Sequence, residues 1–84
     1  ARYNLALVYF HMNQPIAAIE QLNAGLRQKP DHAPSHYLLG LIYDRRMESP
    51  ARAARHYRRY LELAPDSRNA PAVRRWLRAV RPTE

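Results

Sequence analysis

Leu39-Gly40-Leu41-Ile42-Tyr43 echoes Leu5-Ala6-Leu7-Val8-Tyr9, and the echo decides the fold. Ala6 to Gly40 and Tyr9 to Tyr43 are each 34 residues apart. The match continues downstream. Ala18, Leu22, Gly25-Leu26 and Pro30 align with Ala53, Tyr57, Tyr60-Leu61 and Pro65, now 35 apart. The second unit therefore carries one extra residue between Tyr43 and Ala53. Asp44 to Arg52 holds a turn, where an insertion is least costly. A fixed period of this length marks a repeat architecture in which each unit is one supersecondary element.

Each unit reads as two helices. Small residues (Ala6 and Gly40 in the first helix, Ala18 and Ala53 in the second) permit close helix approach. Asn13-Gln14-Pro15 separates the first pair and Met47-Glu48-Ser49-Pro50 the second. Ser49 is placed as an N-cap and Pro50 as the first helical residue. Pro30-Asp31 and Pro65-Asp66 end the second helix of each unit, because proline cannot continue a helix. The pattern predicts helices near 2–12, 16–28, 34–47, 51–63 and 70–80. In the last, Ala72, Val73, Trp76, Leu77 and Val80 share one face, with Arg74, Arg75, Arg78 and Arg81 mostly on the other. A helix with one polar side can close the open end of a helical stack. The expected fold is all-α: antiparallel helix–turn–helix units at 1–32 and 33–68, then a C-terminal capping helix at 69–84.

Composition sets bounds. A chain of 84 residues is at most one small domain, and 46% hydrophobic content is too high for a disordered tail. A single central core is marginal at this length, which favours stacking of units. No apolar run approaches a transmembrane segment. Absence of Cys excludes disulfides, thiolate metal sites and cysteine nucleophiles, and suits both cytoplasm and bacterial periplasm. The formal charge is +7, and all but one of the 14 basic residues are arginine. Such a field attracts anions: nucleic acid, anionic headgroups or an acidic protein.

The pattern resembles the tetratricopeptide repeat (TPR), a helix–turn–helix of about 34 residues with Leu-Gly, Tyr, Ala, Phe and Pro at set spacings. The second unit carries Leu39-Gly40, Tyr43, Ala53, Tyr57 and Pro65, with Tyr60 where the family prefers Ala. The first carries Leu5, Tyr9, Ala18 and Pro30, with Ala6 for Gly, Leu22 for an aromatic and Gly25 for Ala. Arg2 and His36 stand where an early Trp is usual. The resemblance implies a superhelix whose concave groove is lined by the first helix of each unit. The implied groove positions are Tyr3, Leu7, Phe10 and His11, then Tyr37, Leu41, Asp44 and Arg45. Such an aromatic and aliphatic surface suits a peptide or helix with apolar anchors. Some members clamp a peptide carboxylate with Lys, Arg and Asn. Only Asn4 fits that set, with Tyr3, Leu7 and Leu38 in the other places, so no clamp is expected. At least three units are usually needed for stability. The two here are expected to belong to a longer array or to stack on another copy, and the resemblance with the arginine content is compatible with a bacterial protein.

Other constellations read more plainly. Tyr9, Tyr43 and Tyr57 hold signature positions and are expected to pack; Tyr3 and Tyr37 are open to groove contact. Arg52, Arg55, Arg58 and Arg59 on one helix, with Arg74, Arg75, Arg78 and Arg81 on the next, form a candidate anion-binding surface, weighed against a solvated outer face. His32 and His36 lack a third metal ligand. Asp31, Ser35 and His36 are close in sequence, but catalysis depends on geometry in space. No glycine-rich phosphate loop is present, and neither an enzyme nor a cofactor is expected. The functional expectation is a non-catalytic scaffold binding a protein or peptide in its groove. Polyanion or nucleic-acid binding through the arginine faces is the alternative from another class, and self-association a third.

Overall fold

A computed structural model describes residues 2–80 and contains five helices among them: α1 (Arg2–His11), α2 (Pro15–Gln28), α3 (Ala33–Arg45), α4 (Pro50–Leu63) and α5 (Ala70–Ala79). The fold is all-α. Helices α1 and α2 pair antiparallel, as do α3 and α4, and α5 packs on α4. None is long and apolar enough to cross a membrane.

The turns show why the helices stop where they do. Asn13 takes φ 58°, a left-handed conformation that asparagine tolerates. Its amide donates to Phe10 O at 3.1 Å and the Gln14 amide to Tyr9 O at 2.8 Å. This paired closure satisfies carbonyls that a helix end leaves free, and it ends α1 at His11. The second unit solves the same problem with one residue more. There the Ser49 amide reaches back to Tyr43 O at 2.8 Å, and Glu48 takes the left-handed position at φ 50°. Tyr9 and Tyr43 are equivalent acceptors, so the extra residue is absorbed between the Tyr43 carbonyl and the Ser49 amide. Helix α3 ends at Arg45, the repeat equivalent of His11 at the end of α1 and two residues before the expected position. Ser49 occupies the cap site, but its side chain makes no capping hydrogen bond. That expected role is corrected: the closure runs through its backbone.

Each unit is also fastened to the next helix at its closing proline. His36 Nε2 lies 2.9 Å from Pro30 O, and the Arg74 guanidinium donates to Pro65 O at 2.7 Å. Two apolar clusters form the core. Ala6, Ala18, Leu22, Leu39 and Ile42 anchor the first, and Ala53, Tyr57, Tyr60 and Val73 the second. Leu41 and Tyr43 pack against both and join them into a continuous stack.

Gly40 and Tyr57 fit closely. A Cβ on Gly40 would lie 2.4 Å from Tyr57 Cε1 and 2.5 Å from Cδ1. The Tyr57 ring thus rests on bare α3 backbone. At the equivalent place in the first unit the pair is Ala6 and Leu22, both buried. A smaller side chain on the second helix makes room for a methyl on the first.

Candidate functional site

Tyr37, Leu41, Asp44 and Arg45 project from successive turns of α3. Together with Ala72, Val73 and Trp76 from α5 they line a small cleft of about 110 Å³ floored by Tyr57. Its aromatic wall is continuous: Tyr37 lies 5.9 Å from Tyr57, which meets Trp76 edge-on at 4.9 Å. Burial pushes the Tyr57 phenol pKa well up, with Tyr37 and Asp44 adding to the shift, so the ring stays neutral. Trp76 and Leu41 are half-buried, leaving apolar surface on this face. Asp44 and Arg45 place opposite charges at its edge. The chemistry is that of a shallow apolar anchor site with a polar rim.

The four α1 positions are distributed differently. Tyr3 lines a separate, larger cleft of about 420 Å³ with Arg2, Gly25, Gln28, Lys29, His32 and Ser35. Its ring meets His32 edge-on at 5.4 Å, and burial, then Tyr37 and Tyr60, raises its pKa. Leu7 is half-buried against the first core cluster. Phe10 is only 8% exposed, and the Arg46 guanidinium covers its ring at 4.7 Å. It supports the face from beneath and offers little surface. His11 is exposed beside it, the rings 5.5 Å apart.

The histidines are absorbed into packing. His32 Nδ1 pairs with Ser35 Oγ at 2.7 Å. A carbonyl can only accept, so His36 Nε2 donates to Pro30 O, and its Nδ1 lies 3.3 Å from His56 Nδ1. His56 is stacked between His36 at 5.5 Å and Tyr43 at 5.8 Å. Its pKa is lowered to about 4, chiefly by burial and then by the neighbouring His36 and Arg55.

The arginines fall into two groups. Arg59 pairs with Glu62 at 3.0 Å, and Arg74 is engaged by Pro65 O. Arg52, Arg55, Arg75 and Arg78 are exposed, with no ion pair among the described residues. Arg58 is exposed as well, and Arg81 lies outside the described residues. The charge is one-sided along the chain. Up to residue 44, Arg2, Arg27 and Lys29 balance Glu20, Asp31 and Asp44, so the whole surplus of +7 falls on residues 45–84. At the opposite end Leu5, Val8, Met12 and Ile16 are exposed, Val8 by 51%. The second-unit counterparts of Leu5 and Val8, Leu39 and Ile42, are fully buried.

Family profiles for the tetratricopeptide repeat match twice, over residues 1–32 and 33–67. The chain belongs to the tetratricopeptide repeat family. No curated protein and no solved structure matches it. Tetratricopeptide repeats are in general protein–protein interaction modules, and the departures from the repeat signature become legible as packing. Gly40 with Tyr57 and Ala6 with Leu22 are two solutions to one contact. Sequence reasoning about the repeat missed two things. Ala72, Val73 and Trp76 join the α3 face, whereas the sequence pattern gives α5 only a capping role; its single Trp on the apolar side is the available signal. Gly25 opens a cleft that its counterpart Tyr60 fills, and the signal was the size difference between aligned positions.

Proposed function

We propose that this tetratricopeptide repeat chain is a non-catalytic scaffold that binds a partner polypeptide along the face of α3 and α5, with Tyr37, Leu41 and Trp76 as apolar anchors and Asp44 and Arg45 at the rim. The observation that carries the reading is the joining of side chains from two helices into one open aromatic cleft, the kind of surface on which binding energy concentrates. Leu7 and His11 carry the proposed face toward α1, while Tyr3 belongs to the separate cleft beside Gly25. The test is capture of partners from nuclease-treated lysate at low and high salt, comparing wild type with Tyr37→Ala combined with Leu41→Ser, after circular dichroism has established equal helicity. A partner retained at high salt and lost with the variant supports the reading. Capture that ignores the variant but disappears with nuclease or salt moves the function to Arg52, Arg55, Arg59, Arg74, Arg75 and Arg78, because phosphate contacts are strongly salt-dependent.

A second reading is self-association through the exposed Leu5, Val8, Met12 and Ile16 surface. It is favoured by the complete burial of Leu39 and Ile42, the equivalents of Leu5 and Val8. Molecular mass that rises with concentration in wild type, and not after Val8→Glu, supports it; a constant mass removes it.

A further inference from the structure

We infer that the cleft bounded by Tyr3, Gly25 and His32 is a receptor for a tyrosine side chain supplied by a partner polypeptide. The argument is internal to the repeat. Advancing by the repeat period carries Tyr3 onto Tyr37, Gly25 onto Tyr60, His32 onto Ser67 and Ser35 onto Ala70. In the second unit the corresponding space is closed. Tyr60 is 5% exposed, its ring lies 5.2 Å from that of Tyr37, and its hydroxyl donates to Ser67 Oγ at 2.6 Å. In the first unit nothing grows from position 25, and a cleft of about 420 Å³ is left between α1, the end of α2 and the start of α3.

Tyr3 keeps the aromatic wall that Tyr37 supplies, while Arg2, Gln28, Lys29, His32 and Ser35 make the rest of the lining more polar than His36, Leu63, Ala64, Ser67 and Ala70, and the phenol of position 60 is missing. A ring entering from a partner finds Tyr3 where Tyr60 finds Tyr37. Its hydroxyl reaches the His32–Ser35 pair where that of Tyr60 reaches Ser67. A phenol suits such a place because its body is apolar and its tip needs a hydrogen-bond partner when buried. The Arg2 stem lies over Gly25, its Cβ and Cδ 3.7 Å from where a Gly25 Cβ would sit, and its guanidinium donates to Gln21 Oε1 at 3.1 Å; with Lys29 it makes the lining positive, so an acidic residue beside the tyrosine is favoured. The inference rests on the proposed groove only in taking the ligand to be a polypeptide, and the cleft is distinct from the one between α3 and α5.

The test titrates acetyl-Asp-Tyr-amide and acetyl-Asp-Ala-amide into the 84-residue chain, followed by amide resonances in nuclear magnetic resonance. The expected result is saturable, tyrosine-dependent shifts at Gly25, Lys29 and His32. Gly25→Tyr, which fills the cleft from within as Tyr60 does, weakens binding by about tenfold or more. Gly25→Ala keeps it, because the added Cβ meets nothing nearer than 3.7 Å. Equal binding of the two peptides, or equal binding to wild type and Gly25→Tyr, overturns the inference. So does a Gly25→Tyr chain that fails to fold while Gly25→Ala folds, because the space then admits no ring. Shifts confined to Tyr37, Leu41 and Trp76 overturn it too, while leaving the groove reading standing.

Discussion

Replacing Gly40 by alanine sets helix propensity against packing. Glycine inside a helix is less favourable than alanine by about 1 kcal/mol, so an exposed position would gain that amount. Here the new methyl would sit 2.4 Å from Tyr57 Cε1, whereas carbon contacts are comfortable at about 3.5–4.0 Å. The ring has little room to retreat. It is 3% exposed, with Tyr37 and Trp76 packed against it. Overpacking of this kind costs about 1–3 kcal/mol and occasionally more. The backbone on the other side of the contact cannot yield without bending α3, so the upper part of that range applies. The expected net loss for Gly40→Ala is about 2 kcal/mol, roughly 8–16 °C in melting temperature for a domain of this size. Tyr57→Leu alone should cost a similar amount through lost burial and the cavity left behind. The double variant rebuilds the Ala6–Leu22 pair of the first unit, and should cost less than the two losses added together by about 1–3 kcal/mol. Urea unfolding, followed by far-ultraviolet circular dichroism, measures all four corners of the cycle. Losses that add to within about 0.5 kcal/mol, or a Gly40→Ala chain more stable than wild type, would refute the reasoning.

Two further outcomes are expected. Glu48 holds a left-handed φ of 50° with a side chain that disfavours it, so Glu48→Asn should raise stability by about 0.5–1 kcal/mol; an unchanged or lower urea midpoint argues against strain at this turn. His56 has a folded-state pKa of about 4, below the ordinary histidine value of about 6.5. The folded state therefore takes up its proton later than the unfolded chain does, so this contribution is fully present above about pH 6.5 and is lost as pH falls toward 4. His56→Phe should flatten the stability profile across that window at some cost at neutral pH, and identical slopes in the two proteins would contradict the assignment.

The sequence carried the fold because its signals are local. Proline and turn residues at Asn13–Pro15, Pro30, Glu48–Pro50 and Pro65 mark every boundary, and the change of period from 34 to 35 places the inserted residue in the α3–α4 turn. The helix ends moved by at most two residues, because left-handed closures at Asn13 and Glu48 depend on backbone angles that residue types only suggest. The face was half legible. Tyr37, Leu41, Asp44 and Arg45 follow one another on α3, so periodicity alone puts them together. Trp76 joins them only through the angle at which α5 lies down, and the depth of Phe10 depends on Arg46 folding back over it. Volumes left open, as at Gly25, depend on what neighbouring helices bring and leave no periodic trace.

The one-sided charge has an orienting consequence. With a neutral first half and a surplus of +7 on the second, the molecule is an electric dipole along its stacking direction. An anionic surface or acidic partner exerts a torque as well as a pull, turning the α4–α5 end inward before contact. The encounter complex would then arrive already aligned, with the Trp76 end of the cleft leading and the apolar α1 edge trailing into solvent.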